Sequence, residues 1–452
     1  MSKLMVGAGK VCIDPTPDML PMGTRFTIGE DIYDSGYCRA IAMDNGVQRT
    51  LFVVYELSDQ PTVPDLTKRI AEATGVPEES IIIIVTHNHS SPCDDHFGEE
   101  DPAITAGRDK YKQIELDAAI EAGKQAVASM RPAKYGYGEI RSNINVCRDL
   151  ETPFGYWVEA RNRDGYSDKT LAMIKFVDEE GKLIAAFLNH GTHATNIYIQ
   201  RDFDGKIKLS GNFTGITCRF VEEHYGEGAV CAWTSGAAGD QNPIFSHGLQ
   251  YEYPDGYSTA VSYPDGIGYM QMEYIGRMHG ADAVRGLDSI CTYSENMPMK
   301  HLDLDVMLPR QRRVDFKPGQ GFDAYPEGNV IHRGLRPEPW EPPVLPEPPA
   351  MEDDPEHPIP LRMQLIMLGH IAILCAGCEL YAQIGAHMKE VSPYRNTIVV
   401  THTKDYRHVG YVMGEKAANR KVNQFYGAVK PGVGEAIIIE GQRQLFDEAL
   451  KF

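Results

Sequence analysis

An α/β fold, with a mixed β-sheet core flanked by helices, is predicted by three observations on this 452-residue chain. Short β-branched runs alternate with longer stretches of helical periodicity. Residues 80–86 (SIIIIVT) carry four consecutive isoleucines, as a strand buried on both faces requires. Histidines stand directly after two of the apolar runs, so a metal site is expected at the strand ends, where α/β proteins place their ligands.

The elements follow in order. Residues 50–55 (TLFVVY) read as a strand, 65–74 as a helix and 80–86 as the buried strand. Residues 101–129 are mostly helical in pattern. Strands at 171–177 and 182–189 flank Asp178-Glu179-Glu180-Gly181, a hairpin signal. Helices are expected at 212–225, 266–287, 379–389 and 435–450. Residues 302–308 (LDLDVML) alternate, as in a half-exposed strand. Residues 336–360 (RPEPWEPPVLPEPPAMEDDPEHPIP) are rich in proline, which fixes φ and removes backbone donors, so no regular element is expected there. Strand patterning resumes at 362–368. The segment therefore reads as a surface excursion of one domain spanning 1–452, in preference to an interdomain linker.

A formal net charge of −19 argues against nucleic acid and against a membrane surface as partners. No run approaches the roughly 18 apolar residues of a bilayer span, and the first residues (MSKLMVGAGK) lack the apolar core of a signal peptide. A cytoplasmic protein acting on a small molecule is the expectation, and a homo-oligomer is compatible with it. The nine cysteines are odd in number and scattered; Cys375 and Cys378 close an apolar run and read as buried thiols.

The chemistry gathers in four segments. Thr86-His87-Asn88-His89-Ser90-Ser91-Pro92 follows the buried strand, and side chains two apart at a strand's end point the same way. Both imidazoles can then reach one site, although a hydrogen-bonded pair fits equally well. Asn189-His190-Gly191-Thr192-His193 follows another strand. Thr234-Ser235-Gly236-Ala237-Ala238-Gly239-Asp240 follows a third; its small residues permit close approach to a ligand and its amides can bind an anion. Asp240 is suited to supporting a ligand histidine. Glu379 closes an apolar run and opens the helix expected after it, where a carboxylate serves either the helix dipole or a metal.

Taken in order, THxHSxP, HGxHxT, Ser210-Gly211-Asn212 at a helix start, GAAGDQNP and a late acidic residue resemble the neutral/alkaline ceramidase family. The resemblance runs from Gly7-Ala8-Gly9-Lys10-Val11 to Gly410-Tyr411-Val412, nearly the whole chain. It implies a zinc amidase. By position, His87, His193 and Glu379 would ligate Zn²⁺, with Tyr411 completing the set and Tyr406 and His408 as alternatives. His89 would be a catalytic neighbour, Arg148 a substrate contact, and Gly236, Ala237, Asp240 and His190 would line or support the substrate site. There are departures. Gly236 stands where the family has a serine, leaving Ser235 one residue away, and Asn212 stands where many members have aspartate. The secretion signal and further C-terminal domain of extracellular members are not seen. A smaller, soluble substrate than ceramide is therefore expected, cleaved at an amide by metal-activated water. A lactonase, esterase or sugar-directed hydrolase, and a non-catalytic metal-binding homologue, are the alternatives. Asp94 and Asp95 read as a solvated acidic turn.

Overall fold

The computed structural model describes residues 3–93, 102–153, 155, 157–246, 249–252, 258–261, 264–314, 350–403 and 409–451. Its centre is an eight-stranded mixed sheet in the order Val230–Ser235, Leu183–His190, Thr170–Asp178, Arg131–Arg141, Met5–Cys12, Tyr37–Asp44, Arg49–Tyr55, Ile81–Val85. The expected hairpin is there, Thr170–Asp178 running antiparallel to Leu183–His190. Parallel pairing occurs at the two ends of the sheet, between Leu183–His190 and Val230–Ser235 and between Arg49–Tyr55 and Ile81–Val85.

A second sheet was not distinguished in the sequence. It orders Met299–Leu308, Ile359–Leu368, Ile371–Ala376 and Asn396–Val400, with the last two parallel. Its Ile366, Leu368, Ile371, Ile373, Ile398 and Val400 join Phe52, Val54, Ile82 and Ile84 of the first sheet in one buried cluster. The four isoleucines of residues 81–84 are thus divided between this inter-sheet core and the helix-covered outer face. Pro102–Ala128 covers that outer face through Ala118, Ala119, Ala122 and Ala126. The helix comes close because Gly7 and Gly9 face it; a Cβ at either would overlap the carbonyl of Ala126 or Ala122. Asn212–Tyr225 and Ile267–Ser289 cover the other half of the sheet, while Ala382–Glu390 and Gly434–Ala449 cover the second sheet. No helix among the described residues is long and apolar enough to cross a membrane.

The described end of the proline-rich segment departs from expectation. Met351–Asp353 pairs with Gln311–Arg313, and Ile359 and Pro360 already belong to the strand Ile359–Leu368. Pro360 is at the strand's second residue, where proline is tolerated. Residues 336–349 lie outside the described residues.

Beneath the site, Arg39 is fully buried between two carboxylates. Its Nη1 pairs with Glu56, and its Nε donates to Glu222 Oε1 at 2.7 Å. Glu222 also accepts from Lys10 Nζ at 2.8 Å.

Candidate metal centre

Four strand-end loops converge because their backbones are tied to each other. His89 N donates to Ala194 O at 3.1 Å, His193 N to Gln241 O at 3.1 Å, and Val85 N to His402 O at 3.3 Å. Asn212 clasps two of them, its Nδ2 donating to Ser90 Oγ at 2.9 Å and to Ala194 O at 3.3 Å. The strand before His87 ends at Val85, and His87 itself is left-handed, with φ 58°. It is this bend, and not the two-residue strand period expected from sequence, that brings His87 and His89 together. Left-handed backbone is costly for a residue with a Cβ and concentrates at functional sites.

The donor atoms of His87, His89 and His193 lie within 4.8 Å of one another, as do those of His87, Glu379 and His402, and all five residues are buried. His87 Nδ1 is 3.0 Å from Ser58 O, and His193 Nδ1 is 2.6 Å from Ala238 O. A carbonyl only accepts, so Nδ1 carries the proton in both rings and a neutral ring turns a bare Nε2 inward. Burial holds His193 at a pKa of about 4, so its ring is neutral near pH 7. Its bare Nε2 lies 3.0 Å from Glu379 Oε2, and His87 Nε2 lies 3.5 Å from the same oxygen. Lone pairs facing one another at these separations call for a cation between them, so the donor set fits a metal ion.

Glu379 does not open a helix. It lies in the short strand Glu379–Leu380, which pairs in parallel with Tyr411–Val412 and sets Glu379 beside Tyr411; the helix begins at Ala382. Gly239 lets this strand approach, since a Cβ there would press on the carbonyls of Glu379 and Leu380. Tyr411 OH is 3.4 Å from His193 Nε2, and Arg148 Nη2 donates to that hydroxyl at 3.1 Å. Arg148 is buried and also donates to Gly239 O at 2.7 Å and to Glu159 Oε1 at 3.2 Å. His89 Nε2 lies 3.0 Å from His87 Nε2, and the half-exposed Phe26 packs 5.2 Å from the His89 ring. Burial first, then His87 and Arg25, hold His89 well below its ordinary pKa.

The structure takes other candidates elsewhere. His190 Nε2 donates to Ser142 O at 3.2 Å and its Nδ1 meets Thr192 Oγ1 at 2.6 Å, so it anchors a loop beside His279 and does not back a ligand. Asp240 supports no histidine among the described residues either; its Oδ1 accepts from Ala382 N at 2.8 Å, the first amide of that helix. The Gly236 amide is spent on His190 O at 2.9 Å, removing it as an anion donor. Gly236 and Ala237 instead line a pocket shared with Asp168 and Lys389, which no histidine borders among the described residues. Ser235 ends the strand Val230–Ser235 and donates to Gly236 O at 3.2 Å, and among the described residues no imidazole is hydrogen-bonded to it. Tyr406, His408, Asp94 and Asp95 lie outside the described residues.

Two residues next to this region make a pH prediction. Burial, reinforced by Asp240, pushes the Asp149 carboxyl up to about 7; Arg420 pairs with it at 3.3 Å. A raised folded-state pKa stabilises fully below the unfolded value, and the contribution is lost as pH rises through the folded one. Folding stability from this pair should fall between about pH 4 and about pH 7. Urea unfolding at pH 5 and pH 8 should show a smaller drop in D149N than in the native protein; equal drops would remove Asp149 as the cause.

His402 was missed in the sequence, although its signal was present. Residues 398–402 (IVVTH) repeat the pattern of residues 83–87 (IIVTH), and both histidines are left-handed, at 57° and 58°.

Fold and site together define a mixed α/β protein with a histidine- and glutamate-lined candidate metal-binding group at its strand ends. Among solved structures the fold is similar to that of a ceramidase complexed with C2, with TM-score 0.70 and 17% identity over 100% of this chain and 75% of the other. It is likewise similar to neutral ceramidase from Pseudomonas aeruginosa, with TM-score 0.68 and 17% identity over 100% and 74%. No family model and no curated protein matches the sequence.

Proposed function

We propose that this chain is a zinc-dependent hydrolase that cleaves an amide bond of a small soluble substrate. The observation that carries it is the pair of bare imidazole nitrogens, on His87 and His193, turned onto the buried Glu379 carboxylate. These three residues, with Tyr411, would hold the ion. Zinc so held supplies Lewis acidity toward a carbonyl and an activated water at neutral pH. The similarity of fold to ceramidases supports hydrolysis of an N-acyl bond.

The chain's own groups divide the remaining tasks. Arg148 donates to the Tyr411 hydroxyl at 3.1 Å and so orients its O–H toward a carbonyl oxygen as that oxygen gains charge. His89 faces the His87 ring and is placed to pass a proton to the leaving nitrogen. Phe26 covers the His89 ring and limits access of water from that side. The net charge of −19 favours a freely diffusing substrate over one held in an anionic membrane.

The test is elemental analysis of purified protein together with product analysis over a panel of N-acyl compounds. About one zinc per chain and metal-dependent release of amine are expected. Protein that binds no metal, or that releases only alcohol from esters and lactones, would overturn the reading. Because no base among the described residues is hydrogen-bonded to Ser235, S235A should keep turnover within a few-fold of native; a loss on the order of 10⁴ would mark a covalent nucleophile instead.

A further inference from the structure

We propose that His402 gives its Nε2 to the centre as a third histidine ligand, so that the ion is held by His87, His193, His402 and Glu379 with Tyr411 beside them. This rests on the metal-centre reading above and extends it to a residue from a separate strand end. Four observations converge. His402 is buried, and its Nε2 lies 4.0 Å from Glu379 Oε2, the oxygen that both other histidines face. Its Nδ1 is engaged by Thr401 Oγ1 at 2.8 Å, so the other nitrogen is the one presented to the carboxylate. Thr401 is itself fixed, its hydroxyl donating to Gly236 O at 2.8 Å and its amide to Ser235 O at 2.9 Å. The donor atoms of His402, His87 and Glu379 all lie within 4.8 Å of one another.

The backbone adds a fifth. At φ 57° His402 occupies a conformation that histidine adopts at a cost, the same one held by His87 at 58°. Two histidines bent alike after two parallel-paired strands form a matched pair around Glu379. A purely packing role would be filled without strain by an apolar residue on an ordinary backbone. A third imidazole also changes the chemistry of the ion. It replaces a site of two histidines and one carboxylate with a more nitrogen-rich one, and it leaves fewer positions for water and substrate.

The experiment uses the full-length protein loaded with zinc and, separately, with cobalt(II). H402N is the principal variant, since asparagine tolerates the left-handed region; H402A is the second. Circular dichroism and thermal melts of the metal-free proteins establish that each variant folds. X-ray absorption should count one imidazole fewer in H402N than in the native protein. Its cobalt d–d bands should change in position and intensity, and chelator competition should show zinc affinity lower by at least about tenfold. An unchanged imidazole count with an unchanged cobalt spectrum would overturn the role of His402 and leave the metal-centre reading intact. A native protein that takes up neither zinc nor cobalt would overturn both.

Discussion

Glu379→Ala should yield a folded protein that no longer retains zinc after dialysis and whose kcat falls by at least about 10³-fold, as loss of several kcal/mol of metal assistance implies. Among the described residues the carboxylate is the one anion facing His87 and His193, at 3.5 and 3.0 Å. Without it two imidazoles remain, and a divalent ion loses the anionic contact that they share. Elemental analysis and single-substrate kinetics on the same preparation give the answer. Retention of stoichiometric zinc by the variant would show that the carboxylate is a bystander. The substitution also removes a buried charge, so the metal-free variant should melt no more than a few degrees from the metal-free native protein; a large fall in Tm would show that Glu379 holds the strand ends together by itself.

Arg39→Met should have the largest effect on stability, a loss of about 3–5 kcal/mol, because it strands buried carboxylates without their counter-charge. Glu56 and Glu222 both face the guanidinium; Lys10 gives Glu222 a second direct ion pair, and Arg219 is the further cation acting on Glu56. Burial already pushes the Glu56 carboxyl up despite Arg39 and Arg219. The network reaches the site through the backbone, since Asn88 Nδ2, between the two histidines, donates to Glu56 O at 3.3 Å. Urea unfolding measures the loss. The triple variant with Glu56→Gln and Glu222→Gln should recover part of it, and no recovery would assign the effect to lost packing of the arginine.

How much of this was legible in the sequence differs residue by residue. His87 and His193 were visible because each follows an apolar strand and belongs to a recognisable string. Glu379 was visible by order, but its surroundings were not, since a two-residue strand paired with residues 32 positions later leaves no periodicity. Glycine-rich 235–240 looked like an anion cradle, yet the Gly236 amide is consumed by His190 O and the Asp240 carboxylate by a helix amide. Hydrogen-bond accounting of that kind requires the fold. The division of the strands into two packed sheets was equally hidden, because a run such as IIIIV is apolar on both faces whether it meets a helix or another sheet. His402 is the opposite case. Its IVVTH string was readable, but it stands out only when set beside the IIVTH of residues 83–87.

The backbone ties among the strand-end loops have a consequence for assembly. His193 and Glu379 are 186 residues apart in the chain and Tyr411 lies 218 from His193, so no short segment can gather the donors by itself. Such a centre is non-local, and the unfolded chain offers nothing comparable. An ion that recognises only the finished arrangement shifts the folding equilibrium by mass action, by about 2.7 kcal/mol at a hundredfold excess over its dissociation constant. Occupancy would then report completion of the whole fold: a nascent chain remains without its ion until the loop bearing Tyr411 has docked, and withdrawing the metal from the finished protein loosens every loop that Ala194, Gln241 and His402 now bind together.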